Sequence, residues 1–151
     1  MNYSSYKYDR RNSTRYTFIS KGRKGVVLKA VEFTPTAVKS IVNLGFGDLR
    51  PDGIADDTAN TNNNDIIKVM ATIIEIVKDF TTGMPEAKIV FTGSSAVRTA
   101  MYQRTLKMYY HNFSKDFTIT ALIKEGNLYS EVPFEPYDSK KYLAFLVKRK
   151  L

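Results

Sequence analysis

At 151 residues the chain has the length of a single domain, and its 43% hydrophobic and 13% aromatic residues suffice for a packed core. It has no cysteine and one histidine, which excludes disulfides and thiolate chemistry and leaves little for a transition-metal centre, so neither metal nor cofactor is expected. A formal charge of +8 favours anionic partners: nucleic acid, a small anionic ligand, or an acidic protein partner.

Residues 1–14 are polar and irregular and read as a flexible arm without an apolar leader, so the expected location is the cytoplasm. The domain proper is placed at 15–151. Tyr16 to Ser20 and Val26 to Phe33 are β-branched and aromatic, and the glycines of Lys21-Gly22-Arg23-Lys24-Gly25 between them suit a hairpin. A third strand is expected at residues 40–46. Residues 47–63 show no periodicity and read as a mobile loop. Asp48, Asp52, Asp56, Asp57 and Asp65 could offer oxygens to a hard cation but lack the ordered spacing of a calcium loop, and a solvated loop is the expected reading.

The period then changes. Ile66, Val69, Met70, Ile73, Ile74, Val77 and Phe80 recur at three- and four-residue steps, which predicts an amphipathic helix. Asn64 or Asp65 would cap it, and Gly83 with Pro85 would end it. A short strand at residues 88–92, a second helix from Ala96 to about Asn112, and strands at 116–124 and 141–150 complete the chain. A polar loop carrying Pro133 and Pro136 separates the last two. The expected fold is α+β: one mixed sheet of about six strands with two main helices, in the order β-β-β-α-β-α-β-β. Charges interrupt every apolar run, so no membrane span is predicted.

The segment with most chemical content is strand–Gly93-Ser94-Ser95–helix, followed by Arg98 and Thr99. A helix start presents unpaired N–H groups and the positive end of a dipole to an anion. Gly93 would admit a ligand to the backbone and Arg98 would supply a bidentate fork. Gly93, Ser94, Ser95, Arg98, Thr99 and Arg104 are therefore the candidate anion-binding residues. The alternative is that Ser94 or Ser95 simply caps the helix, and that Arg98 serves an ordinary ion pair. Neither a Walker motif nor a Gly-x-Ser-x-Gly elbow is present. His111, near the end of the second helix, reads as a helix-terminal charge. Tyrosines interleave with cations at Tyr3, Tyr6, Lys7, Tyr8, Arg10, Arg11, Arg15 and Tyr16, one recipe for single-stranded nucleic acid.

Residues 43–48 (Asn-Leu-Gly-Phe-Gly-Asp), 62–69, 93–99 with Tyr102 and Arg104, and 145–150 resemble a family of small uncharacterised bacterial proteins, which implies a domain but no activity. A second resemblance lies in the order of elements: strand, helix, strand, helix with Met101-Tyr102, then two strands is similar to the C-terminal half of the GNAT acetyltransferase superfamily. There an Asn-x-x-Ala-x-x-Leu-Tyr pattern opens the second helix, and its tyrosine can act as general acid. Ser95, Arg98, Met101 and Tyr102 stand in the corresponding places, so the resemblance makes Tyr102 the catalytic candidate. The glycine-bearing turn that cradles the coenzyme A pyrophosphate is replaced here by residues 60–65 (Asn-Thr-Asn-Asn-Asn-Asp).

Three functions are compatible with these residues. The first is a binding or regulatory module for an anionic ligand, nucleic acid or protein partner. The second is an acyltransferase-like enzyme with a degenerate coenzyme A site. The third, suggested by small size and basic charge, is a component of a toxin–antitoxin or phage-conflict pair, in which expression alone would arrest growth until a neighbouring gene relieved it.

Overall fold

The computed structural model describes residues 4–53, 55–56, 65–93 and 95–150. The elements run β1 (Tyr8–Arg10), β2 (Arg15–Gly22), β3 (Gly25–Pro35), β4 (Ile41–Leu49), β5 (Ala55–Asp56), α1 (Ile66–Gly83), β6 (Lys88–Phe91), α2 (Ala96–Phe113), β7 (Phe117–Glu125), β8 (Leu128–Pro133) and β9 (Ala144–Arg149). They form an α+β domain with one sheet ordered β1-β2-β3-β4-β6-β9-β7-β8, to which β5 adds by pairing with β4. The sheet therefore has eight strands in its row rather than about six.

The additions have local causes. Residues 8–10, placed by the sequence in an irregular arm, pair with Tyr16 to Phe18. The tyrosines of this segment anchor it. Tyr6 stacks on Phe18 at 6.0 Å, and Tyr8 meets Tyr16 edge-on at 5.8 Å. The Tyr6 hydroxyl donates to Asp65 Oδ2 at 2.6 Å. The Tyr16 hydroxyl, fully buried, donates to Asp79 Oδ2 at 2.7 Å. Burial and then the Asp79 carboxylate raise the Tyr16 pKa well above the ordinary phenol value. Strand β8, expected as loop, is made by the two-residue turn at Gly126 and Asn127, where Gly126 takes φ +62.

Of the expected mobile loop, Gly47 to Leu49 complete β4 and Ala55–Asp56 form β5; residues 54 and 57–63 lie outside the described residues. Arg50 to Gly53 make the turn between them, with Gly53 at φ +85 and its carbonyl accepting from Arg15 at 2.5 Å.

Strands β4 and β6 are parallel, and β9 lies antiparallel between β6 and β7. The chain thus steps β4, β6, β7 in one direction across the sheet. Crossovers of one hand put both helices on the same face. Phe33 of β3 stacks on Phe80 of α1 at 3.9 Å, and Phe113 of α2 stacks on Phe117 of β7 at 4.4 Å. The register puts Phe33, Leu44, Ile89, Val147 and Ile119 on this covered face. The predicted helical stripe packs here through Val69, Met70, Ile73, Val77 and Phe80, whereas Ile66 at its start is 38% exposed. No helix among the described residues is long and apolar enough to cross a membrane.

Candidate functional site

Strand β6 accompanies β4 only from Ile41 to Asn43, and β5 rejoins the same edge of β4 at Asp48 and Leu49. Among the described residues no strand pairs with the β4 edge between them. The Lys88 N–H donates to Ser40 O at 2.8 Å, and an Arg98 guanidinium nitrogen donates to Phe46 O at 3.1 Å. Even-numbered residues therefore turn their peptide groups toward this edge, and the Phe46 N–H points the same way as its carbonyl. The gap is a cleft of about 170 Å³, walled by Asn43, Gly45, Thr92 and Gly93 and floored by Leu44, Phe46, Arg98 and Tyr102.

Helix α2 supplies the floor, and its first turn is tightly built. Ser95 is the N-cap, its Oγ accepting the Arg98 N–H at 3.2 Å. Thr99 Oγ1 donates to Ser95 O at 3.1 Å and accepts the Gly93 N–H at 3.0 Å. A Cβ on Gly93 would lie 2.4 Å from the Thr99 nitrogen. This glycine is therefore required by the close approach of strand end to helix backbone. A ligand lying against that side of Gly93 has no room.

Arg98 is 7% exposed. Besides its bond to Phe46 O, it lies 5.9 Å over the Phe46 ring. On β3, Lys29 reaches within 5.7 Å of the same ring. It is 1% exposed and ion-paired to Asp48 Oδ1 at 2.5 Å. Two buried cations thus share Phe46, and the charge of Lys29 is offset by its Asp48 partner.

The structure brings together Gly93, Ser95, Arg98, Thr99 and Tyr102. Ser94 lies outside the described residues. Arg104 is exposed on α2, six residues and about 240° of helical rotation from Arg98, and does not line the cleft. Tyr102 is buried, its ring edge-on to Phe91 at 5.5 Å. Three of the arm cations are committed locally: Arg10 lies 5.3 Å over Tyr16, Arg11 donates to Thr17 and Arg15 pairs with Glu32, whereas Lys7 is exposed and Tyr3 lies outside the described residues. No group of metal-ligating side chains occurs among the described residues. Asp65, expected as a helix cap, is the N-cap residue of α1, but its side chain accepts from Tyr6 and Ser20 instead.

Lys29, Asp48 and the open edge of β4 were not among the sequence candidates. A signal existed in Asn43-Leu44-Gly45-Phe46-Gly47-Asp48: glycines at alternate positions of a strand often mark a close approach or a disturbed ladder.

A family model described as a family of unknown function (DUF6934) matches residues 2–150. No curated protein and no solved structure matches the chain.

Proposed function

We propose a function for a chain that belongs to this family of unknown function: it binds a small, extended anionic ligand in the cleft at the open edge of β4. The observation that carries the reading is the Arg98 guanidinium crossing that edge to Phe46 O. It puts a cation beside peptide groups that an extended ligand can pair with, as an added strand does. The cleft also lies beyond the carboxyl end of β6, beside the middle of β4.

Thermal-shift screening with phosphate, citrate and acetyl-coenzyme A, followed by calorimetry on the best of them, tests this. Arg98→Gln should weaken binding at least tenfold, about 1.4 kcal/mol. Arg98→Lys, which keeps the charge without the fork, should fall between. An unchanged affinity in a folded Arg98→Gln protein would sink the assignment.

Tyr102 favours a second reading, acyl transfer. Its ring lines the cleft and also a separate apolar cavity of about 40 Å³ between α1, α2 and the sheet, bounded by Ile73, Ile74, Leu106 and Val147. That is little more than one water's share of liquid volume, about 30 Å³, room for the methyl end of an acetyl group and no longer chain. In this GNAT-like reading the Tyr102 hydroxyl protonates the departing group. Saturable micromolar binding of acetyl-coenzyme A, with turnover lost in Tyr102→Phe, is the expected result. No heat and no thermal stabilisation would retire the enzyme reading while leaving the anion-binding one to the other probes.

A further inference from the structure

The sheet face turned away from the helices holds a basin of about 670 Å³, lined chiefly by Lys88, Thr118, Thr120, Glu131, Leu146 and Lys148. Lys88 and Lys148 stand directly opposite each other on β6 and β9, and Thr118 stands opposite Lys148 on β7. All three project from one face in a single row. Like charges directly opposed across strands destabilise a sheet, so this arrangement calls for an anion.

Glu131 meets only part of that demand. Lys88 Nζ donates to its two oxygens at 2.8 and 3.0 Å, and Thr120 Oγ1 donates at 2.6 Å. Burial pushes the Glu131 carboxyl up, but the bonds from Lys88 and Thr120 and the lysine charge outweigh it and hold the pKa below its usual value. The carboxylate is therefore ionised and committed to Lys88. Lys148, by contrast, makes no side-chain hydrogen bond or ion pair among the described residues. Of its neighbours in sequence, Arg149 donates to Lys78 O at 2.8 Å and to Thr81 Oγ1 at 3.2 Å. Lys150 Nζ donates to Ser114 O at 2.6 Å and keeps its charge near the rim.

We propose that this basin is a phosphate-binding subsite centred on Lys148, with the Thr118 hydroxyl as a second donor and the Lys88 and Lys150 charges at its margins. Compact ammonium groups and a rotatable hydroxyl suit a tetrahedral oxyanion, whereas a planar carboxylate is better matched by a guanidinium fork. The subsite is separate from the Arg98 cleft. Lys88 begins β6 and Thr92 follows its last residue, about 13 Å away at roughly 3.3 Å per residue. The phosphate can belong to a nucleic-acid strand or to a small phosphorylated molecule, and both present the same chemistry to Lys148.

Binding of pyrophosphate and of a fluorescent single-stranded oligothymidylate at low salt separates the two sources. Lys148→Glu should weaken whichever probe binds at least tenfold and Lys148→Gln about threefold. Lys107→Glu, an exposed charge reversal on α2, should cost less than twofold. Should Lys148→Glu melt early, the glutamine variant still reads the site. Loss confined to the oligothymidylate identifies a strand, and loss of pyrophosphate identifies a small phosphate. Equal losses in Lys107→Glu and Lys148→Glu, or no binding of either probe at millimolar concentration, overturn the proposal.

Discussion

Replacing Lys29 with methionine should lower the stability of the domain by about 3–5 kcal/mol, the usual cost of removing one partner from a buried ion pair. For a chain of this size that is roughly 6–20 °C in melting temperature. The size of the effect follows from the place of the charge. Lys29 is 1% exposed, on a strand flanked on both sides, and its ammonium is held by Asp48 Oδ1 at 2.5 Å. Methionine fills nearly the same volume, so little packing is lost. What remains is the Asp48 carboxylate, largely buried and deprived of its cation, and that desolvation dominates.

The double variant Lys29→Met with Asp48→Leu should recover most of the loss, because exchanging both partners for apolar groups is often close to neutral. Urea midpoints of the two single variants and the double variant measure this directly. A Lys29→Met loss below about 0.5 kcal/mol, the range of ordinary surface changes, would show that the ammonium is not buried. The double variant has a further use. It removes the Lys29–Asp48 pair with no change of net charge while restoring the fold, so a changed anion affinity in that protein would report what the pair as a whole contributes to the cleft.

Gly93→Ala is expected to cost about 2–3 kcal/mol, at the upper end of what overpacking usually costs, and to abolish ligand binding in the cleft. The new methyl would meet the Thr99 nitrogen at 2.4 Å and the Arg98 carbonyl carbon and Cβ at 2.7 Å. Two of these three atoms are backbone, so no flexible side chain can give way. The start of α2 must move instead, stretching the bond from the Gly93 N–H to Thr99 Oγ1 and the Ser95 cap. Arg98 rides on that turn and would leave Phe46 O.

Gly83→Ala is the fitting control. Nothing lies within 4 Å of a Cβ there and the residue closes α1, so the change should be neutral or gain up to about 1 kcal/mol from helix propensity. Thermal melts of both variants decide the matter. Equal stability of Gly93→Ala and Gly83→Ala would mean that the contact between strand end and helix is not tight.

Where the sequence was legible, the reason was local. The three- and four-residue spacing from Val69 to Phe80 depends only on helical geometry, and that stripe is buried as expected. The β2–β3 hairpin follows from its two glycines, with Gly25 at φ +88. Ser95 caps α2 as its residue type allows. Strands β1 and β8 were illegible because their signals are distributed. The arm tyrosines become anchors only when Phe18, Asp65 and Asp79 come beside them. Similarly, the polar segment before Pro133 becomes an edge strand only because β7 is there to pair with it.

By itself, then, the sequence determined an α+β chain with two helices, the positions of its main strands, its positive charge, and the turn from which Arg98 projects. Each of these rests on periodicity, composition or backbone preference within a few neighbouring residues. Only the tertiary structure decided what Arg98 faces, that Lys29 and Asp48 pair beside it, that the edge of β4 opens between β6 and β5, and that Lys88 meets Lys148 across two strands. Those are contacts between residues tens of positions apart. They are set by sheet order and register, and no local pattern encodes which strands will become neighbours.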